Sequence, residues 1–96
     1  MERQLRSYQV KDGQMDAFLE VFDRVVEARL AHGFEIEGVW YSRESGRFVW
    51  VVGFEGDVSF EDAVTRYYDS DERKTISPNP LDFLDDVELT MVERHL

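Results

Sequence analysis

The sequence contains no cysteine. That excludes disulfides, thiol nucleophiles and thiolate metal sites at once. Histidine is scarce, with two copies, His32 and His95, so a three-histidine zinc site is excluded as well. Both prolines lie in "SPNP" (Ser77 to Pro80), a stretch that no helix can continue through. Basic residues are outnumbered, 11 against 21 acids, for a net charge of −10, and they are scattered rather than striped. Nucleic acid is an unfavourable partner for such a chain, because affinity there rests on cations displacing phosphate counterions. No apolar run approaches the ~18 residues of a membrane span, and no basic start precedes an apolar run. A cytoplasmic protein without a membrane span is expected.

What is present is a patterned chain of 96 residues, 43% hydrophobic and 14% aromatic. This length suits a single domain over residues 1–96, burying roughly 60–70% of its unfolded surface. "RQLRSYQVK" (Arg3 to Lys11) reads as a first strand anchored by Leu5, Tyr8 and Val10. "DG" (Asp12, Gly13) punctuates it. From Gln14 the period changes: Met15, Phe18, Leu19, Phe22, Val25, Val26 and Leu30 recur at helical spacing. Asp16, Glu20, Asp23, Arg24 and Glu27 form the solvated face, and Gly33 supplies the stop.

"FEIEGVWYSR" (Phe34 to Arg43) and "RFVWVVGFE" (Arg47 to Glu55) read as paired strands. A three-residue loop of Glu44, Ser45 and Gly46 is preferred, with Gly46 in the left-handed position. That register sets Arg43 against Arg47, Trp40 against Trp50 and Ile36 against Phe54. It puts Phe34, Ile36, Trp40, Phe48, Trp50, Val52 and Phe54 on one face, and Val39, Tyr41, Val49 and Val51 on the other. A second helix starts at Ser59, with Asp62 completing a capping-box pattern and Phe60, Ala63, Val64, Tyr67 and Tyr68 as its buried stripe. Leu81, Phe83 and Leu84 suggest a short turn, and Val87, Leu89 and Met91 alternate as in a last strand.

The predicted order is β-α-β-β-α-β. Right-handed crossovers put both helices on one side of a four-stranded antiparallel sheet, the ferredoxin-like α+β arrangement. The other side keeps apolar residues that a single small chain cannot cover. The simplest cover is the same face of a second copy, giving a homodimer through sheet faces.

"LRSYQVKDGQMDAFLEVF", "HGFEIEGVWYS", "FVWVVGFE" and "RYYDSDERKTISPNP" together resemble the NIPSNAP family. The resemblance spans nearly the whole chain. It implies a ferredoxin-like subunit of the dimeric α+β barrel superfamily, and no general activity. Haem-degrading members of that superfamily would be expected to carry an axial histidine on the second helix, where this chain has none.

Candidate site residues follow from chemistry and placement. Arg6 and Tyr8 share a parity on the first strand, where a guanidinium and a phenol can hold a carboxylate or an enolate and give a proton. They can equally bond within a dimer interface. His32 is a general base at a pocket mouth, or a helix-terminal histidine favoured by the dipole. Trp40, Trp50, Tyr67 and Tyr68 are core, or the lining of an apolar pocket for a flat ligand. The acids Asp69, Asp71, Glu72, Asp82, Asp85 and Asp86 match no calcium loop and read as a solvated rim. "SESGRF" is no phosphate loop. No cofactor is expected. Three functions remain open: a homodimeric protein binding a small apolar or aromatic molecule between sheet and helices, a cofactor-independent monooxygenase or related enzyme on an aromatic substrate, and a non-catalytic interaction module.

Overall fold

The computed structural model describes all 96 residues. Strand β1 (Glu2–Val10) runs to Gly13, whose φ of +74° turns the chain into helix α1 (Met15–Ala31). Gly33, at φ +82°, ends that helix and releases the chain into β2 (Phe34–Tyr41) and β3 (Arg47–Phe54). Helix α2 (Phe60–Asp69) is capped as the sequence suggests, the Ser59 hydroxyl accepting from the Asp62 N–H. A single turn, α3 (Asp71–Lys74), and a 3₁₀ turn (Pro80–Phe83) lead to β4 (Leu84–Val92). The strands form one antiparallel sheet in the order β2-β3-β1-β4. With its element order, this is the ferredoxin-like α+β fold.

One sheet face carries Tyr8, Phe48, Trp50 and Val52, all buried. Helix α1 packs on it through edge-on rings, with Phe18 4.9 Å from Phe48 and Phe22 4.9 Å from Trp50 between centroids. Helix α2 meets the same face through Phe60 and Tyr67, both against Phe34. The buried stripe of α1 is rotated from the expected one. Met15, Phe18, Phe22 and Val25 are buried as predicted, but Val21, Ala28 and Arg29 join them. Leu19 and Val26 are only partly buried, and Leu30 is exposed.

The β2–β3 pairing corrects the expected register. Trp40 opposes Val49, Val39 opposes Trp50, and Phe34 rather than Ile36 opposes Phe54. The turn is one residue longer than predicted: Ser42 and Arg47 close it, the Gly46 N–H donating to the Ser42 carbonyl. Two serines stabilise that longer loop, with the Ser45 N–H on Ser42 Oγ and the Arg47 N–H on Ser45 Oγ. Gly46 does take positive φ, at +74°. The extra residue flips residues 38–41 to the opposite faces. A bulge between Ile36 and Gly38 then flips the strand back, so Phe34 and Ile36 keep the face expected of them.

Trp40 therefore lies on the helix-free face, 60% exposed and folded across Gly38, instead of beside Trp50. Its neighbours on that face are Leu5, Val49, Val51 and Val92, all half-buried. Val39 and Tyr41 belong to the helix side at its uncovered margin. The bulge aims Glu37 at Arg3, 2.7 Å away, and Arg94 stands 3.6 Å from the same carboxylate. Arg3 holds the Glu37 carboxyl below its ordinary range. On the helix side, Val87, Leu89 and Met91 of the edge strand stay exposed.

This register separates the two tryptophans energetically. Trp50→Ala empties the core and is expected to cost ~3–5 kcal/mol. Trp40→Ala, measured by urea unfolding at high dilution, is expected to cost about 1 kcal/mol or less. Equal costs would restore the paired-tryptophan register.

Candidate functional site

The site grows from the centre of the sheet. β1 is an inner strand, and its alternate residues Gln4, Arg6 and Tyr8 point towards the helices. Arg6 is 4% exposed. Its Nε donates to the Tyr8 hydroxyl at 2.7 Å, Nη1 to Gln4 Oε1 at 2.8 Å, and Nη2 to the Tyr68 hydroxyl at 3.1 Å. Burial alone would lower the Arg6 pKa, but the Tyr8 and Tyr68 phenols outweigh it, and the net direction is upward.

A second guanidinium comes from the last turn of α1. Arg29 continues the 15, 18, 22, 25 stripe by one further step, so its side chain enters the core, and it is 1% exposed. The helix C-terminus favours a cation there. The guanidinium carbon stands 4.1 Å from the Tyr67 ring centroid, 4.7 Å from Phe34 and 5.5 Å from Trp50. Those rings offer their π-faces, but Nε and Nη1 have no hydrogen-bond partner. Burial, followed by the charge of Arg6, pushes the Arg29 pKa down. The Trp50 Nε1 and the Tyr67 hydroxyl are also buried without partners. Burial raises the Tyr67 phenol pKa, with Arg29 pulling the other way.

These groups surround one narrow cavity between sheet and helices. Arg6, Tyr8, Phe18, Phe22, Arg29, Trp50, Tyr67 and Tyr68 line it, and Arg73, Leu81 and Leu84 are at its outer side. No aspartate or glutamate lines it. No ion pair involves Arg6 or Arg29. The void is about 20 Å³, room for one water-sized body. A flat ring enters only if the mouth widens, and Leu81, on its 3₁₀ turn, is 48% exposed there. A roomier depression, about 230 Å³, lies between Lys11–Gly13 and Arg43–Gly46. It is a surface dip beside the exposed Arg43–Asp16 pair and contains no buried polar side chain.

The structure brings Arg6, Tyr8, Trp50, Tyr67 and Tyr68 together. It places Trp40 on the opposite face, because of the longer turn, and His32 outside the cavity lining. The His32 backbone N–H donates to the Arg29 carbonyl, ending the helix. Its Nε2 is 3.3 Å from Glu72 Oε1 without a formed hydrogen bond. The Glu72 carboxyl is held low by its own backbone N–H first and by His32 second. Arg29, Gln4 and Arg73 were not among the residues the sequence singled out. The 3, 4, 3, 4 spacing from Met15 to Arg29 is the signal that reaches Arg29. No group of three or more histidine, aspartate or glutamate side chains is placed to hold a metal ion. No helix is long and apolar enough to cross a membrane.

Comparison with solved structures finds the same fold repeatedly. A NIPSNAP domain protein from Burkholderia xenovorans superimposes with a TM-score of 0.82 at 14% identity, over 98% of this chain and 94% of that one. A NIPSNAP family protein of unknown function from Agrobacterium tumefaciens gives 0.82 at 21% identity, over 96% and 86%. An antibiotic biosynthesis monooxygenase gives 0.74 at 12% identity, over 98% of both chains. At such identities the likeness is one of fold. No curated protein matches the chain by sequence. The NIPSNAP family model matches residues 1–76, which span β1 to α3 and include both buried arginines, and the chain belongs to the NIPSNAP family.

Proposed function

We propose that the chain is a homodimeric small-molecule-binding protein whose ligand, small and apolar or aromatic, is received between the sheet and its helices. The observation that carries this reading is Arg29, buried with two nitrogens unpartnered. Buried polar groups in a finished core are hydrogen-bonded, and an unpaired buried charge is costly. The void is small, so the apolar part of a ligand would displace the Leu81 side of the mouth.

The monooxygenase reading draws on the fold shared with the antibiotic biosynthesis monooxygenase, and on Tyr8. The Tyr8 hydroxyl accepts from Arg6, which leaves its own proton free to be donated. The dimer rests on the helix-free face. Leu5, Val49, Val51, Val92 and Trp40 form an apolar strip bordered by Arg3, Glu37 and Arg94. A two-fold axis through this strip would cover it with itself, a self-complementary contact.

A site arginine is dispensable for folding. Arg29→Met is therefore expected to leave the unliganded protein as stable as the parent, or more stable by ~1–4 kcal/mol, in urea titrations. A loss of more than ~2 kcal/mol would make Arg29 a structural residue and remove the main support for a binding site. For the assembly, sedimentation at micromolar concentration is expected to show a dimer for the parent and single protomers for Val51→Glu. A parent protein that sediments as single protomers would refute the paired-sheet arrangement.

A further inference from the structure

We propose that the Arg6–Arg29 cavity receives the carboxylate end of a small organic acid, with the acid's apolar remainder leaving past Leu81 and Leu84. This rests on the binding reading above and names the ligand's polar group. The inference comes from a count of donors and acceptors. Arg29 Nε and Nη1 and the Trp50 Nε1 can only donate, and all lack partners. The buried Tyr67 hydroxyl is unpartnered as well, and Arg73 adds a further cation at the outer side. Arg6 has already taken Gln4 Oε1 and the Tyr8 and Tyr68 hydroxyls, which leaves the Tyr67 hydroxyl beside Arg29 as the one neutral side-chain acceptor in the lining. What the cavity lacks is an acceptor with negative charge.

The protein does not supply one itself. It has 21 acidic side chains, yet none lines this cavity. An anion would offset the burial of the Arg29 guanidinium and its repulsion from Arg6, the two effects that push the Arg29 pKa down. The choice among anions follows from shape and size. A planar carboxylate matches the fork of a guanidinium with paired hydrogen bonds. The void of about 20 Å³ holds one water-sized body, so a carboxylate head enters as the mouth widens, and a bulkier tetrahedral phosphate needs still more room. Phe18, Phe22, Trp50 and Tyr67 supply aromatic walls, and Leu81 and Leu84 an apolar exit, so the remainder of the acid is apolar.

The test uses the full chain in chloride-free buffer, with benzoate and its neutral isostere benzamide as probes. NMR signals of the Trp50 indole N–H and the arginine Nε–H groups report on the cavity. Saturable shifts are expected with benzoate, with benzamide about tenfold weaker or silent. Arg29→Met is expected to weaken benzoate by tenfold or more while its other signals remain those of a folded protein. Arg66→Met, which removes an exposed guanidinium outside the cavity lining, is expected to retain binding. Equal binding of benzoate and benzamide would overturn the anion inference and leave the small-molecule reading standing. Chloride shifting the same signals at equal concentration would reduce the site to an unselective anion hole and overturn the carboxylate. Shifts that follow protein concentration alone would mean that an acid of a second copy fills the cavity, and would overturn the proposal. Silence towards both probes would overturn the inference together with the binding reading beneath it.

Discussion

Burying a guanidinium costs several kcal/mol unless an anion or a full set of acceptors meets it, and this fold buries Arg6 and Arg29 together. Arg6 is met by neutral oxygens on three sides. Arg29 is met by ring faces, chiefly those of Tyr67 and Phe34. A desolvated cation over an aromatic ring gains about 2 kcal/mol, less than the charge loses by leaving water. Much of the interior can be understood from this imbalance. The last turn of α1, the rings of α2 and the centre of β1 are arranged around two cations that the core itself leaves only partly compensated.

The sheet divides its work between faces. The helix side carries the aromatic core and the cavity. The free side carries a shorter apolar strip and a polar margin centred on Glu37. Two one-residue irregularities in β2 decide which tryptophan goes where: the serine-closed turn and the bulge at Glu37. Because they cancel, the start of the strand, Phe34 and Ile36, keeps its expected face while residues 38–41 are inverted. Trp40 is consequently available to a partner surface, and Trp50 to the cavity.

Much of this was legible in the residues. The change of period at Gln14, the glycines at 13 and 33, and the Ser59 cap fixed the element order, because each acts through local backbone geometry. The centre of the site was legible too, since Arg6 and Tyr8 needed only strand parity. The register was not. Loop length depended on side-chain bonds from Ser42 and Ser45, and the bulge on a contact between Glu37 and Arg3, far apart in the chain. Arg29 was missed for a different reason. A helical stripe is traced by its apolar members, and a guanidinium at the next step is read as solvated. The same stripe, followed by spacing alone, passes through Arg29.

The proposed occupant of the space beside the two buried arginines is an external carboxylate. The most direct measurement is a crystal structure of the protein grown with benzoate in a phosphate- and sulfate-free solution. Planar density bonded to Arg29 and facing Arg6 is expected, with Leu81 moved aside. Guanidiniums paired with a carboxylate of the protein, from the same or a second copy, or surrounded by water alone, would contradict it.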